Sequence, residues 1–192
     1  SSGSQKEARG LHFNYHPENI YGEGGTASNL GEAKSIAQAV MRHAKKTPQL
    51  SLGVVAFGIV QRELIILEVE RLRRENPDCD TFFQHNACGD EFFIKNLENV
   101  QGDERDVIFI SVCYGRKSDG KIFQNFGLIN KVGGERRLNV LISRARLAME
   151  VFANFNADEI RVNDNSPVGL KSLQVFLRYA ETRNFESSKH DN

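Results

Sequence analysis

Residues 106–114 read DVIFISVCY, and this nearly unbroken apolar run predicts the strongest β-strand in the chain. A second run, LSLGVVAF at residues 50–57, has the same character. Continuous apolar runs of this length are typical of strands that are buried on both faces of a parallel sheet. Because helical patterns separate the strand-like runs, we predict an α/β fold with a mainly parallel sheet, flanking helices and right-handed crossovers.

The alternation of strand-like and helix-like periods extends through most of the chain. Asn29 is a suitable N-cap for a helix that runs to about Lys45, and Glu32 completes a capping-box-like start. In sheets of this kind ligands bind at the carboxyl ends of the strands, so we expect the functional motifs there. The other predicted helices are 61–74, 136–147 and 170–179, and the other predicted strands are 10–15, 81–86, 92–97 and 149–155.

The composition is that of an ordinary globular domain. The 192 residues suit a single core, and 25 basic residues balance 25 acidic ones, so binding to nucleic acid would need local basic patches. No apolar run approaches the length of a membrane span, which predicts no membrane partner. The cysteines lack C-x-x-C spacing, which favours a reducing, cytoplasmic location. Cys79, His85 and Cys88 lie close together without an obvious fourth ligand, so we predict no metal site.

The sequence contains no G-x-x-x-x-G-K-[ST] loop, which a self-sufficient nucleotide-hydrolysing domain of this class needs. The glycine-rich stretch at 22–26 (GEGGT) lacks the lysine that neutralises phosphate charge and follows no clear strand-to-helix turn. We therefore interpret this stretch as a flexible surface loop. The sequence also contains no Ser–His–Asp order and no pair of carboxylates that would indicate a catalytic centre of a different kind.

Residues 99–106 (NVQGDERD) form a polar segment directly before the strongest strand. Gly102 would allow a positive φ or a close approach of the backbone to a ligand. Gln101 offers a donor and an acceptor, and Glu104 offers an acceptor suited to a ribose hydroxyl. The alternative interpretation is a solvated turn whose charges only keep the protein soluble.

Residues 135–146 (ERRLNVLISRAR) form a second unusual segment, in which arginines interrupt an apolar stripe of helical spacing. On a helix, Arg137 and Arg144 would lie on nearly the same face, while the stripe would pack against the sheet. A rigid element would then present arginine at a fixed angle, as stabilisation of a transferring phosphoryl group requires. The alternative is an amphipathic helix with solvated arginines. The stripe consists of Leu138, Leu141, Ile142 and Ala145.

Four segments together resemble the second motor lobe of superfamily 1 helicases. Residues 100–111 (VQGDERDVIFIS) resemble motif V, and residues 136–146 (RRLNVLISRAR) resemble motif VI. Residues 51–65 (SLGVVAFGIVQRELI) are similar to the surroundings of motif IV, and residues 28–40 (SNLGEAKSIAQAV) resemble the preceding helix. The resemblance covers most of the chain and is nearest to the branch that contains the nonsense-mediated-decay helicase and related bacterial multidomain proteins.

This resemblance implies a RecA-like three-layer sandwich that forms a C-terminal motor lobe. It also implies an ATP-dependent enzyme whose phosphate loop and Mg²⁺ ligands belong mainly to an N-terminal lobe of the same parent chain, so that the fragment alone is inactive. Single-stranded or duplex nucleic acid would be the second partner. The implied organisation is a disordered end or cloning remnant at 1–9, the lobe at 10–183, and a disordered tail at 184–192.

The resemblance also implies roles for individual residues. Arg144, in Ser-Arg-Ala, matches the catalytic arginine that reaches the γ-phosphate across the interface between the lobes. Glu104 matches the acidic residue that meets the nucleotide ribose. The other candidates for nucleotide contact are Gln61, Gly102 and Arg137, and those for nucleic-acid contact are Gln101 and Asn99.

The chain departs from the family pattern in three places. Ser143 stands where threonine is common, and residues 57–60 (FGIV) replace a stretch that usually contains Pro-Tyr. The Tyr-Arg segment that contributes another phosphate-sensing arginine is not found. The alternative function is therefore a non-hydrolytic nucleic-acid-binding or scaffolding module built on a degenerate lobe.

Overall fold

A parallel sheet forms the centre of the protein. The computed structural model describes residues 10–84 and 89–189, and within these ranges the sheet has five strands, all parallel, in the order β1-β5-β4-β2-β3. The strand that the sequence predicts most strongly, β4, lies in the middle. The strands are β1 (Gly10–Tyr15), β2 (Leu52–Ala56), β3 (Phe93–Asn96), β4 (Arg105–Ser111) and β5 (Ala145–Ala153).

Helices cover both faces of this sheet. Helices α1 and α2 pack on one face with Val54 and Phe109, whereas α4 and α5 pack on the other with Val55 and Ile108. Successive side chains of β2 and β4 therefore enter opposite cores, which is why both strands are apolar almost without interruption. The helices are α1 (Leu30–Lys46), α2 (Ile59–Glu75), α3 (Asp80–Gln84), α4 (Gly134–Ile142) and α5 (Val168–Lys189). The predicted fold, a RecA-like three-layer α/β sandwich, is confirmed.

The predicted start of α1 is confirmed in part. The side chain of Asn29 caps the helix by accepting a hydrogen bond from the backbone N–H of Glu32, at 3.0 Å. The carboxyl group of Glu32 does not complete the capping box. It turns into the protein instead, where it accepts hydrogen bonds from the Ser111 hydroxyl and from the backbone N–H of Cys113.

Two predicted elements are wrong. Residues 81–84 of the predicted strand 81–86 form most of α3, and residues 85 and 86 lie outside the described ranges. The predicted helix 136–147 ends at Ile142, and Ala145 already pairs with Arg105 as the first residue of β5. The apolar spacing continues past the end of α4, so local periodicity alone favours a longer helix, whereas pairing with β4 decides the structure.

The last helix is longer than its pattern predicts. Helix α5 reaches Lys189 and so extends into the segment that was assigned to a tail, while the boundaries of the lobe stay a prediction. Among the described residues, no helix combines the length and the apolar character needed to cross a bilayer.

Candidate functional site

The polar segment 99–106 begins just after the carboxyl end of β3 and ends at the amino end of β4, so Glu104 lies at the amino ends of the strands and not at their carboxyl ends as predicted. The chain leaves the carboxyl end of β3, passes through a short 3-10 helix at Leu97–Asn99, and reaches the amino end of β4. Leu97 and Val100 anchor this crossing in the core beneath α4 and α5. The chain therefore runs from the carboxyl ends of the strands back to their amino ends. The last, polar residues of the segment contact the turn before β5.

Arg144 occupies that turn. It follows the end of α4 and precedes β5, with its backbone N–H donating to the carbonyl of Leu141 at 3.0 Å. Its own carbonyl accepts a hydrogen bond from the backbone N–H of Arg105, also at 3.0 Å. Glu104 is the residue before Arg105. The structure thus brings together the starts of two adjacent strands and, with them, the segments that contain Glu104 and Arg144, two of the five candidates for nucleotide contact.

The guanidinium group of Arg144 rests against the end of its own helix. Its Nε donates to the carbonyl of Val140 at 3.2 Å, and its Nη2 donates to the Ser143 hydroxyl at 2.9 Å. A cation is favoured there because the last carbonyl groups of a helix carry partial negative charge. Among the ion pairs of residues 10–84 and 89–189, none involves Arg144, so its charge is not neutralised by a carboxylate.

The loop before β4 is open to solvent. Gly102 has a φ of 88°, in the left-handed region that favours glycine, and a Cβ built there would meet no atom within 4 Å. Gln101 and Glu104 are exposed, and so is Asn99 on the 3-10 helix. Glu104 makes no ion pair among the described residues, whereas its neighbour Asp103 is bound by Lys95. Glu104 and Gly102 are thus open to solvent on a loop whose end is hydrogen-bonded, through Arg105, to the backbone of Arg144.

A neighbouring arginine has a structural role instead. Arg146 pairs with Asp90 and with Asp106, the latter at 3.1 Å. Although partial burial opposes the effect, hydrogen bonds from the backbone N–H of Ser51 and from Arg146 hold the pKa of Asp106 below its usual value. The network links the starts of β2, β4 and β5. Two carboxylates thus neutralise the charge of Arg146, whereas no carboxylate among the described residues pairs with Arg144.

Arg137 and Arg144 do not share a helix face, contrary to the prediction. Arg137 is exposed on α4, whereas Arg144 lies in the turn beyond the helix. The rigid helix therefore supports Arg144 from its end and does not carry it on its side.

Gln61 lies far from this cluster in the topology. It belongs to the first turn of α2, which follows the carboxyl end of β2, and its side chain is completely buried. Its amide bonds the backbone of Asn29 in both directions, at 2.9 Å and 3.0 Å, and donates to the hydroxyl of Ser111 at 3.2 Å. In this structure, Gln61 fastens α2 to the start of α1 and to β4.

A buried carboxyl group beside Gln61 was not predicted as a notable site. Glu32 is 2% exposed, and burial raises its pKa to about 8, against the opposing hydrogen bonds from Ser111 and the backbone N–H of Cys113. Its second oxygen, Oε1, is buried and has no hydrogen-bond partner among the residues that the structure describes. Cys113 has a φ of 70°, the one positive value at a non-glycine position among the described residues. The capping pattern of Asn29 and Glu32 was visible in sequence, but their long-range partners on β4 and after it were not.

The glycine-rich stretch lies at the surface and contains a short 3-10 helix at Glu23–Gly25. Gly22, Gly24 and Gly25 all have positive φ, and the surrounding loop is largely exposed. Within the described part of the chain, no group of three or more His, Cys, Asp or Glu side chains is arranged to hold a metal ion. Cys79 is buried there, while His85 and Cys88 lie outside the described residues.

A model of a known protein family matches most of the chain. The model of the AAA_12 family, described as an AAA domain, matches residues 5–156, which is more than half of the chain. The chain belongs to this family. The match includes both the polar loop before β4 and the turn that carries Arg144.

Two curated relatives are similar over most of the chain. The MG140 homolog of Mycoplasma pneumoniae, named an uncharacterized ATP-dependent helicase, is 37% identical over 157 residues, which cover 80% of this AAA_12 chain and 14% of the relative. MG140 of Mycoplasma genitalium, named in the same way, is 34% identical over the same shares. The chain thus spans about one seventh of the length of these relatives.

Proposed function

We propose that the chain is the C-terminal motor lobe of an ATP-dependent superfamily 1 helicase, in which Arg144 reaches the γ-phosphate of ATP. The observation that carries the proposal is the position of Arg144. Its guanidinium lies at the end of α4 and pairs with no carboxylate among the described residues, while its backbone carbonyl accepts a hydrogen bond from Arg105, the residue after Glu104. Membership of the AAA_12 family and the names of the two relatives support the use of ATP.

ATP is bound by two lobes in this proposal. The sequence of 192 residues contains no phosphate loop, so the phosphates and Mg²⁺ are held mainly by an N-terminal lobe of the same parent protein. Glu104 accepts from the ribose hydroxyls, and the backbone at Gly102 approaches the nucleotide closely. Arg137, exposed on α4, adds positive potential to the same surface. An arginine that stabilises the transferring phosphoryl group typically contributes about 10³–10⁵ in rate.

Nucleic acid is the substrate along which the lobe moves. Asn99 and Gln101 are exposed in the loop that also contains Gly102, so one loop faces both nucleotide and strand. Closure of the lobes over ATP shifts this loop, and the strand is held through contacts to its phosphates and backbone.

Gln61 has a supporting role in the proposal. Because its amide is buried and bonded to Asn29 and Ser111, it contributes to the nucleotide site by fixing α2 against β4, not by touching ATP.

The test is Arg144→Ala in the full-length parent protein. We expect nucleic-acid-stimulated ATP hydrolysis to fall by about 10³-fold or more, because the charge on the transferring group loses its partner. Binding of a single strand, measured by fluorescence anisotropy, should change little. Arg74→Ala, which removes an exposed arginine from α2, is the matched control and should leave turnover unchanged. Near-normal turnover of the Arg144 variant would refute the assignment.

A further inference from the structure

We propose that Ser143 is a positioning residue for Arg144: its hydroxyl holds the guanidinium at the end of α4 in an orientation ready to bind a phosphate. This inference rests on the proposed function of Arg144 and extends it to a residue to which nothing has assigned a role.

The direction of the hydrogen bonds at Ser143 is determined by its neighbours. The hydroxyl donates its single proton to the carbonyl of Val140, at 2.7 Å. Its lone pairs are then left to accept, and Arg144 supplies N–H groups from Nη2 at 2.9 Å and from Nε at 3.3 Å. Because a serine hydroxyl has only one proton, its bond to Val140 keeps the oxygen available as an acceptor for the arginine.

The same contacts leave the outer part of the guanidinium free. Of the five N–H groups of an arginine, Nε and one from Nη2 are used against Val140 and Ser143. The two N–H groups of Nη1 and the second of Nη2 make no hydrogen bond within the described residues. These are the groups that form a two-pronged contact with a phosphate. Arg144 can therefore bind an anion without leaving the end of the helix.

Holding the side chain in advance has a kinetic consequence. A long, flexible arginine loses conformational freedom when it binds, and this loss opposes the formation of the transition state. The two contacts of Ser143 remove part of that freedom before ATP arrives. Removal of the hydroxyl should therefore lower the rate of the chemical step more than the affinity for ATP.

A purely local role for Ser143 predicts something different. Its bond to Val140 also satisfies a carbonyl near the end of α4, and loss of that bond would reduce stability without affecting catalysis. Thr182 provides the comparison, since its hydroxyl donates to the carbonyl of Arg178 at 2.9 Å on α5 and, among the described residues, makes no hydrogen bond to Arg144. Thr182→Ala removes the same kind of bond without touching Arg144.

The experiment measures steady-state ATP hydrolysis by the full-length protein, with saturating single-stranded nucleic acid, for Ser143→Ala, Ser143→Thr and Thr182→Ala. We expect Ser143→Ala to lower kcat about 10-fold and to change KM for ATP by less than about 2-fold, as misplacement of a catalytic group does. Ser143→Thr keeps the hydroxyl and should restore kcat, and Thr182→Ala should behave as wild type.

A double variant separates this inference from the proposed function. If Ser143 acts through Arg144, the Ser143→Ala change should have no further effect on kcat in the Arg144→Ala background. A wild-type kcat for Ser143→Ala, failure of threonine to rescue, or an equal loss in both backgrounds would overturn the role of Ser143 while leaving that of Arg144 intact. An unchanged kcat for Arg144→Ala would instead overturn the proposed function.

Discussion

Glu32 shows how a single residue can satisfy two demands of the fold. Its backbone N–H is capped by Asn29 at the start of α1, while its carboxyl group reaches Ser111 and Cys113 at the end of β4. Among the described residues no cation pairs with this carboxyl, so its burial favours the protonated form. The result is a neutral hydrogen-bonded link between the first helix and the central strand.

The raised pKa of Glu32 makes stability depend on pH. The folded protein retains a proton that the unfolded chain releases above its ordinary value of 4.5, so the free energy of unfolding falls as pH rises toward about 8. Glu32→Gln carries no such proton and keeps an acceptor for Ser111. We expect this variant to be more stable than wild type at pH 8.5, by about 2 kcal/mol, and to lack that part of the pH dependence.

Urea unfolding of both proteins between pH 5 and pH 8.5 measures this difference. The same substitution at exposed Glu70 is the control and should leave the slope unchanged. A variant at Glu32 that is less stable than wild type at every pH would show that the carboxyl group is needed in its charged form.

At the scale of elements, the sequence predicts best what is decided locally. The apolar runs of β2 and β4 and the Asn29 cap of α1 each contain their own signal within a few residues, and all three are found, although the Glu32 side chain does not complete the capping box. The end of α4 differs, because Ala145 continues the helical spacing of Leu138 and Leu141 yet pairs with Arg105 some 40 residues earlier. The hydrophobic periodicity of a short stretch of sequence does not indicate a pairing between residues so far apart.

The pairing of the strand starts depends on Asp106. Its backbone N–H donates to the Ser51 hydroxyl at 2.8 Å, and its carboxylate accepts from the Ser51 backbone N–H at 3.0 Å and from Arg146. Asp106→Ala removes the carboxylate and leaves these donors without their partner. We expect a loss of about 1–3 kcal/mol in the free energy of unfolding, measured with urea at pH 7.

The control for Asp106 is another aspartate that pairs with arginine. Asp158 is 86% exposed and pairs with Arg178 at 3.0 Å, so Asp158→Ala should cost less than about 1 kcal/mol. Because the pKa of Asp106 is lowered, its contribution should be present above its ordinary value of 3.8 and disappear as pH falls below it. Equal losses for the two variants at pH 7 would contradict a structural network at the strand starts.

At the scale of the molecule, two of the predicted segments meet at the opposite ends of the strands from those expected. Glu104 and Arg144 were chosen because of their segments, and the fold does bring those segments together through Arg105. The general rule for parallel sheets placed them at the carboxyl ends, whereas the crossing after β3 brings Glu104, and the turn after α4 brings Arg144, to the amino ends. That crossing is anchored by buried Val100, whose partners on α4 and α5 are remote in sequence.

The effect of bound nucleotide on the affinity for a nucleic-acid strand distinguishes a motor lobe from a scaffold. The affinity of a motor for the strand changes with the state of the bound nucleotide, whereas the affinity of a scaffold built on the same fold does not. We therefore expect the affinity of the full-length protein for a single strand to change about 5-fold or more on addition of a non-hydrolysable ATP analogue. Fluorescence anisotropy measures this change, and indifference to the analogue would favour the scaffold.

The proposed sharing of the ATP site between two lobes predicts that the isolated chain does not hydrolyse ATP. In the proposed function an N-terminal lobe supplies the phosphate loop that the 192-residue sequence lacks, so Arg144 would have no γ-phosphate to act on in the chain alone. The purified chain should release no phosphate from ATP above background, even with single-stranded nucleic acid, and Arg144→Ala should not alter that result. If the chain hydrolyses ATP and the Arg144 variant does not, a complete site exists within these residues. The phosphate-binding groups would then have to be sought in the chain itself, starting with the exposed loop at Gly102.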